Sequence, residues 1–385
     1  MEIGLVVHGP EVVDSGMAKE IIEKLNDFGN ISAVMAGTIG KTAVLDSHLE
    51  DMIDIKMSLK PSRCIEDLFS KKEIVILLNH GKTTENGLLF ANMVVSRLSD
   101  RNLKPLIHIE RPGMPDGRIV PWNSNSVPIA MKIASILGLK ITDVPRILTP
   151  IDTEEQNNRV IRNVYGVHPG EKIMINGIVV GLARSPNIQI ISEDGFIRDI
   201  RGAKIKAHGL EKLHGYEKRI PVDLITCWVK SGPLRGNNFS VRKNIITGEV
   251  SPYKEVDDSQ NHENRIKAVI IDHEAERTFE LAEGAGVAVT IGDDTTDIAA
   301  DILYRLRIPI IGITDGDIDG FSHIKHIYPG STIIRMKPGS DDIVGKEIQD
   351  KLFCGKESNL FDSIIDLRNN IFTISKKYFI FSTYY

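Results

Sequence analysis

The stretch that decides the fold runs from Val287 to Gly320 and reads VAVTIGDDTTDIAADILYRLRIPIIGITDGDIDG. The apolar run Val287–Ile291 ends in an acidic turn, an amphipathic segment follows, and a second apolar run, Ile308–Ile313, ends in another acidic turn. This order of strand, loop, helix, strand and loop predicts a βαβ unit with parallel strands. Both turns then lie at the carboxyl ends of their strands, where open α/β sheets bind ligands.

Aspartates crowd these two turns, at positions Asp293, Asp294, Asp315, Asp317 and Asp319. Carboxylates that are packed together repel one another unless a hard cation or bound protons offset their charge. We therefore expect a magnesium site with Asp315, Asp317 and Asp319 as ligands. We expect Asp293, Asp294 and Thr295 to form a ligand-facing turn or a helix cap. The alternative is a pair of tight turns in which the aspartates only cap backbone groups.

A further acid, Glu274, follows the first predicted strand of this region, and the D-x-D that begins at Asp315 follows a later one. This arrangement over Lys267–Gly320 resembles the Toprim domain of primases, topoisomerases and small nucleases. The resemblance implies that Glu274 and the aspartates hold magnesium and that the glutamate acts as acid or base. It departs at Ala275, where that family usually has glycine. An EF-hand is not indicated, because His326 stands where the twelfth loop position needs glutamate.

Length, charge and cysteine usage limit the class of protein. A chain of 385 residues suggests two or three domains, and its net charge of -5 argues against a broad nucleic-acid-binding surface. The three cysteines are far apart in sequence, so we expect neither a disulfide framework nor a zinc site. We expect a cytoplasmic protein with no membrane span, because no apolar run approaches about 18 residues.

Repeated strand-loop-helix patterns predict that residues 1–148 form a doubly wound parallel-sheet domain of the α/β class. Residues 149–256 contain short apolar runs separated by Asn176-Gly177 and Asp194-Gly195, which favour hairpin turns. We therefore predict a small β-rich middle domain.

Residues 264–355 are predicted to form a second α/β domain, Toprim-like or Rossmann-like, that carries the acidic loops. Residues 356–385 form a tail rich in aromatic side chains, with no obvious place in this sheet pattern. The tail either packs on the core, pairs along a sheet edge, or is a non-native end to the reading frame.

Two Gly-Lys-Thr turns, Gly40-Lys41-Thr42 and Gly81-Lys82-Thr83, each follow a predicted strand and open toward a helix. Backbone N–H groups and the helix dipole favour an anion at such a place, and the lysine adds positive charge. Neither turn is a P-loop, because Met35 and Ile76 stand where that motif needs glycine. We expect a phosphate or carboxylate site rather than ATP hydrolysis. The alternative is two polar loops with surface lysines.

The stretches His8-Gly9-Pro10-Glu11, His80 and His108–Arg111 also end predicted parallel strands. Since such ends meet at one sheet edge, we expect a shared cleft. Its lining residues would be His8, Glu11, His80, Lys82, Glu110 and Arg111, and we also expect Gly9 to contact the ligand. Histidine and glutamate there could transfer protons or bind a metal. The alternative for each histidine is a solvated loop residue.

The whole chain, to about residue 355, resembles an uncharacterised family of methanogen proteins. The opening Ile3–Glu11 (IGLVVHGPE) and Gly292–Thr296 (GDDTT) carry the resemblance. It implies an archaeal cytoplasmic protein and supplies no activity.

Our working hypothesis is a protein that binds a nucleotide or another phosphorylated ligand, with magnesium-dependent phosphoryl-transfer or phosphodiester chemistry. The alternative is a non-catalytic ligand-sensing or assembly protein. A dinucleotide enzyme ranks lower, because no G-x-G-x-x-G follows any predicted strand. We expect the chain to form a homo-oligomer.

Overall fold

The computed structural model describes residues 1–57, 60–99, 104–144, 151–154, 158–215, 219–232, 235, 265–316 and 326–385. The chain divides into two compact units. Unit 1 comprises Met1–Ile175 and Val180–Thr247, and unit 2 comprises Asn176–Val179 and Gly248–Tyr385.

The first sheet of unit 1 is almost entirely parallel. Its strands are β1 (Glu2–His8), β2 (Asn30–Ala36), β3 (Ile53–Asp54), β4 (Ile74–Asn79), β5 (Leu106–Glu110), β6 (Arg118–Pro121) and β7 (Lys140–Ile141). They lie in the order β3-β2-β1-β4-β5-β6-β7, and the β5–β6 pair is antiparallel. The strand order reverses between β1 and β4, which is the topological switch point where doubly wound sheets bind ligands. The predicted doubly wound α/β fold is confirmed.

Helices connect and cover this sheet. They are α1 (Glu11–Asp14), α2 (Met17–Asn26), α3 (Thr38–Asp46), α4 (Pro61–Lys71), α5 (Thr84–Ser96) and α6 (Val127–Leu137). The inner strands are runs of β-branched and aliphatic residues buried on both faces, as a sheet covered on two sides requires. Ile65 and Leu68 of α4 belong to the same buried cluster as Val6, Val75 and Leu77 of the sheet, so α4 covers one face of β1 and β4.

The β-rich part follows in sequence. Its elements are β8 (Ile151–Glu154), β9 (Arg159–Val164), β10 (Lys172–Ile175), β11 (Ile178–Ala183), β12 (Ile188–Glu193), β13 (Phe196–Arg201), β14 (Ala203–Ile205), α7 (Ala207–His214) and β15 (Val229–Ser231). They form two four-stranded sheets, β13-β12-β9-β8 and β14-β11-β10-β15. Asp194 and Gly195 both have positive φ (53° and 80°), as a type I′ turn requires, and they join the antiparallel pair β12–β13. The hairpin predicted from Asp-Gly is confirmed.

Unit 2 is built on one mixed sheet. Its elements are β16 (Ile266–Asp272), α8 (Thr278–Leu281), β17 (Val287–Ile291), α9 (Asp293–Arg305), β18 (Ile310–Thr314), β19 (Thr332–Met336), α10 (Asp341–Lys351), β20 (Ser358–Phe361), α11 (Ile364–Ser375) and β21 (Phe379–Tyr384). The order is β20-β16-β17-β18-β19-β21, with four parallel inner strands and an antiparallel strand at each edge. The predicted βαβ unit is present as β17-α9-β18.

The aromatic tail completes this sheet. It supplies both edge strands, β20 and β21, and the helix α11 between them. Leu367 and Ile371 of α11 are fully buried in the core together with Phe361 of β20. The tail therefore does both of the first two things that the sequence left open: it packs on the core and it pairs along the sheet edges.

Candidate functional sites

Three buried aspartates meet at the carboxyl edge of the unit 2 sheet. Asp293 begins α9 directly after β17, Asp315 follows β18, and Asp341 begins α10 after β19. Because these parallel strands are neighbours, their carboxyl ends lie side by side. Each aspartate offers a carboxylate oxygen within 4.8 Å of the other two, and their side chains are buried. We call Asp293, Asp315 and Asp341 the aspartate cluster.

Backbone N–H groups hold each carboxylate of the aspartate cluster in place. Gly316 N donates to both oxygens of Asp293 (3.2 and 3.1 Å), and Gly339 N donates to Asp315 Oδ2 (2.5 Å). Asp341 Oδ1 accepts from the N–H of Asp342 (3.0 Å). These contacts match the backbone-capping role that the sequence left open as an alternative, and they also fix the carboxylates in a geometry that a cation can share.

Positive charge near the aspartate cluster comes from Arg335 and from two helix ends. Arg335 Nη1 lies 3.6 Å from Asp293 Oδ1. Asp293 and Asp341 occupy the first positions of α9 and α10, where the helix dipoles favour negative charge. Three buried carboxylates within 4.8 Å of one another repel, and a divalent cation bound between them would offset that repulsion. Oxygen ligands of this kind suit Mg²⁺ or Mn²⁺.

His273 lies beside this edge, at the end of β16. It forms a second group of possible metal ligands with Asp341 and Asp342, and its Nε2 lies 3.3 Å from Asp342 Oδ1. Its Nδ1 is 2.5 Å from Asp272 Oδ1. Gly292 has φ of 93°, which residues with a Cβ rarely adopt, and a Cβ there would lie 2.9 Å from His273 Nε2, so glycine is favoured at this turn.

The structure brings some of the predicted metal ligands together and separates others. Asp315 belongs to the aspartate cluster, whereas Asp317 and Asp319 lie outside the described residues. Glu274 is exposed, and its Oε2 accepts a hydrogen bond from Arg277 Nη1 (2.6 Å). It is in neither group of possible metal ligands found among the described residues.

The predicted ligand-facing turn at Asp293, Asp294 and Thr295 is the first turn of α9. Asp294 is half-buried there and Thr295 is buried. Sequence reasoning missed Asp341, although it carries a recognisable signal, an acid at the first position of a helix that follows a predicted parallel strand.

A second candidate site lies at the switch point of unit 1, where β1 and β4 end. His8 Nδ1 lies 2.8 Å from Asn79 Oδ1, and Asn79 Nδ2 donates to Glu110 Oε2 (2.7 Å). Glu110 also accepts from Gly81 N (2.6 Å), and His108 Nε2 lies 3.0 Å from it. The shared edge that the sequence predicted for these strand ends is thus occupied by one connected polar network.

This network fixes the tautomer of His8. The carboxylate of Glu110 only accepts, so Asn79 presents its NH₂ group to Glu110 and its oxygen to His8. Nδ1 of His8 must then donate, which leaves Nε2 as a hydrogen-bond acceptor. Phe90 stacks on the imidazole with ring centroids 4.0 Å apart and holds its orientation. Among the described residues no hydrogen bond to Nε2 is seen, and a Cβ at Gly37 would lie 3.9 Å from it.

The pKa values at this site follow from burial and hydrogen bonding. Burial lowers the pKa of His8 to about 4, although Asn79 opposes the shift. Burial alone would raise the pKa of Glu110, but hydrogen bonds from His108, Asn79 and Gly81 outweigh it and hold the pKa below its usual value. His8 is therefore neutral and Glu110 ionised near pH 7.

Two charged residues near His8 are Glu11, which follows β1, and Lys230, which lies on β15 of the β-rich part. Burial raises the pKa of Glu11 and lowers the pKa of Lys230, and each charge partly offsets the other. Gly9 has φ of 83°, and a Cβ there would lie 3.0 Å from Glu11 Oε2. His80 is half-buried, and burial followed by the nearby Arg111 lowers its pKa.

The loop Gly81-Lys82-Thr83 joins β4 to α5, as predicted. Thr83 caps α5 by accepting from Asn86 N (3.3 Å). Lys82 Nζ contacts Glu171 (2.9 Å) and Ser231 (3.2 Å), so its charge is matched within the protein. Arg111 Nη1 donates to the carbonyls of Gly81 (2.6 Å) and Lys82 (2.8 Å) and thereby fixes the loop.

The turn predicted at Gly40-Lys41-Thr42 is wrong in position, because α3 begins at Thr38 and already contains these residues. Lys41 is 3% exposed and Thr42 donates to the carbonyl of Ile39 (2.6 Å). The residue at the helix start is instead Gly37, whose φ of 96° few other residues adopt.

The folds and sites define an α/β protein with a switch-point polar network in unit 1 and an aspartate cluster in unit 2. The chain belongs to the archaeal family described as "Uncharacterized protein conserved in archaea (DUF2117)", whose model matches residues 5–356. It is 39% identical over 376 residues to an uncharacterized protein of Methanocaldococcus jannaschii, and this similarity covers 97% of both chains. The alignment therefore extends into the aromatic tail.

No solved structure matches the chain significantly. The likeness to Toprim domains stays an expectation from the sequence. Within the described residues, none of the helices combines the length and apolar character that a membrane span requires.

Proposed function

We propose that this protein binds a divalent cation, Mg²⁺ or Mn²⁺, through Asp293, Asp315 and Asp341 and uses it to hold a phosphorylated ligand. The observation that carries the proposal is the convergence of three buried carboxylates within 4.8 Å at the carboxyl edge of parallel strands. Magnesium binds carboxylate and phosphate oxygens together, so such a centre supports phosphoryl-transfer or phosphodiester chemistry.

Helix geometry supports an anionic ligand at the same place. α9 and α10 both begin at the aspartate cluster, so their N-terminal N–H groups are oriented toward it. A cation held by the aspartates would leave coordination positions for phosphate oxygens, since Mg²⁺ prefers six oxygen ligands in octahedral geometry.

Calorimetric titration of chelator-treated protein with Mg²⁺ and Mn²⁺ tests the proposal. Asp315→Asn and Asp341→Asn should each weaken binding by at least about tenfold, as even outer-shell changes at metal sites do. Asp350→Asn is the matched control, because Asp350 is an exposed acid on α10 itself. Equal binding by wild type and both cluster variants would exclude the site. Circular dichroism separates lost binding from lost folding.

A second candidate function, ligand sensing without turnover, is favoured by the oriented His8 in unit 1. Its Nε2 accepts a hydrogen bond from a ligand hydroxyl or amine, while Lys230 lies near enough to affect its pKa. A thermal-shift series with inorganic phosphate, AMP and ATP tests this function. Stabilisation without Mg²⁺ that disappears in His8→Gln supports it, and nucleotide or phosphodiester turnover that requires Mg²⁺ favours the enzyme.

A further inference from the structure

The strand β21 differs from every other edge strand that the structure describes. An edge strand presents unpaired backbone N–H and C=O groups, and proteins protect such edges with short strands or charged side chains. The four sheets that the described residues form have eight edge strands. Most have four residues or fewer: β3, β7, β8, β14, β15 and β20.

The remaining two edge strands are β13 and β21, each of six residues. β13 carries Arg198, Asp199 and Arg201, whose charges discourage pairing with another chain. β21 reads FIFSTY and has neither a charged residue nor a proline. Its pairing with β19 shifts register beside Ile380, but β21 is the one long edge strand among the described residues that carries no charged side chain.

The side chains of β21 are also unusually exposed for their type. Phe381 is 54% exposed, Ile380 50% and Tyr384 58%, and the following Tyr385 is 52% exposed. One side of β21 pairs with β19, and among the residues that the structure describes no strand pairs with the opposite side. Apolar surface and a row of open backbone groups thus occur together on one edge.

We propose that β21 pairs antiparallel with β21 of a second copy of this chain, about a two-fold axis. Two six-stranded sheets would then join into one continuous sheet. Antiparallel self-pairing gives both copies identical contacts, which is how closed two-fold dimers form. The strand is neutral, so no like charges oppose each other across the pair, and aromatic and β-branched pairs favour it.

The available apolar area is enough for a dimer of modest affinity. Phe379 is 38% exposed, and the four side chains named above are 50–58% exposed. If a complete aromatic side chain buries about 200 Å², these five would bury at most roughly 500 Å² per copy. The total of about 1,000 Å² reaches the lower limit of specific interfaces. Backbone hydrogen bonds between the two copies of β21 would fix the antiparallel direction and the register of the pair.

Light scattering coupled to size exclusion, over a dilution series of the full-length protein, tests the pairing. Wild type should elute at twice the 42.8 kDa chain mass and dissociate on dilution. Phe381→Lys and Thr383→Lys should raise the dissociation constant by about 100-fold or more, because each dimer gains two like charges at the contact. Thr383 is exposed, so its replacement removes no core packing.

Ile365→Lys is the matched control, since Ile365 is 60% exposed on the neighbouring helix α11 and lies outside the strand. It should leave the dissociation constant unchanged. Unaltered circular dichroism and melting temperature show that the β21 variants remain folded. A wild-type protein that stays monomeric at every concentration overturns the proposal. So does a dimer that both β21 variants leave intact, because its contact must then lie elsewhere.

Discussion

At the scale of single residues, the position of an acid at the end of a parallel strand decides whether it joins the aspartate cluster. Asp315 directly follows β18 and lies in the cluster, where the sequence predicted a metal ligand. Asp341 was missed, because spacing along the chain does not reveal that β19 lies beside β18. Glu274 turns away after His273, a residue with φ of 57°, and pairs with Arg277. A sequence motif does not reveal the left-handed backbone at His273 or the ion pair that Glu274 makes with Arg277.

His8 gives a prediction about pH. Its pKa of about 4 in the folded protein lies below the value near 6.5 expected for an unfolded chain. Between these values the unfolded chain binds the proton more readily, so stability should fall as pH decreases from about 6.5 to about 4. Urea unfolding of wild type and His8→Gln across this range should show a flatter profile for the variant.

The same histidine can be followed directly by ¹⁵N NMR. The imidazole should titrate near pH 4 and should remain protonated on Nδ1 and unprotonated on Nε2 at neutral pH. Asn79→Ala should change the tautomer balance, because the Nδ1 proton loses its acceptor. A midpoint near 6.5, or the opposite tautomer in wild type, would contradict the role assigned to the network.

At the scale of secondary structure elements, the order of strands and helices and the residue types at turns predicted the elements correctly in most places. Asp194-Gly195 predicted a hairpin because type I′ turns need positive φ at both central residues, and the structure has both. The loop predicted at residues 40–42 is wrong, because the first residue of a helix is harder to predict from sequence than a hairpin turn. Gly37 supplies the backbone break instead, so Lys41 falls inside α3 and is buried.

Helix α11 carries a prediction for the tail. Leu367 is completely buried in the unit 2 core, whereas Ile365 on this helix is 60% exposed. Leu367→Ala should lower the free energy of unfolding by about 2–5 kcal/mol, through lost burial and a residual cavity. Ile365→Ala should change it by no more than about 0.5 kcal/mol. Chemical denaturation of both variants checks the difference, and equal stabilities would mean that the tail does not contribute to the core.

At the scale of the whole molecule, the sequence anticipated the α/β class but could not place the tail. The sequence of an aromatic, β-prone segment does not show which strands it pairs with. Its partners, β16 and β19, are distant in sequence. Only long-range pairing decides that β20 and β21 occupy opposite edges of one sheet. The composition of the tail therefore signalled burial or pairing without specifying which.

The elements of unit 2 predict that it can fold and bind a cation without the rest of the chain. All six strands of its sheet and helices α8–α11 come from residues 265–385. The aspartate cluster and its backbone donors, Gly316, Gly339 and Asp342, come from the same span. A fragment of residues 265–385 should therefore fold and bind Mn²⁺ with an affinity within about threefold of the full chain, a difference of roughly 0.6 kcal/mol.

Circular dichroism and calorimetry of this fragment provide the measurement, with Asp341→Asn in the fragment as its control. A folded fragment that binds Mn²⁺ while the Asp341→Asn fragment does not would place the cation site wholly within unit 2. A folded fragment that has lost binding would instead mean that ligands from elsewhere in the chain complete the site. An unfolded fragment would contradict the view that this sheet and its helices form a self-sufficient core.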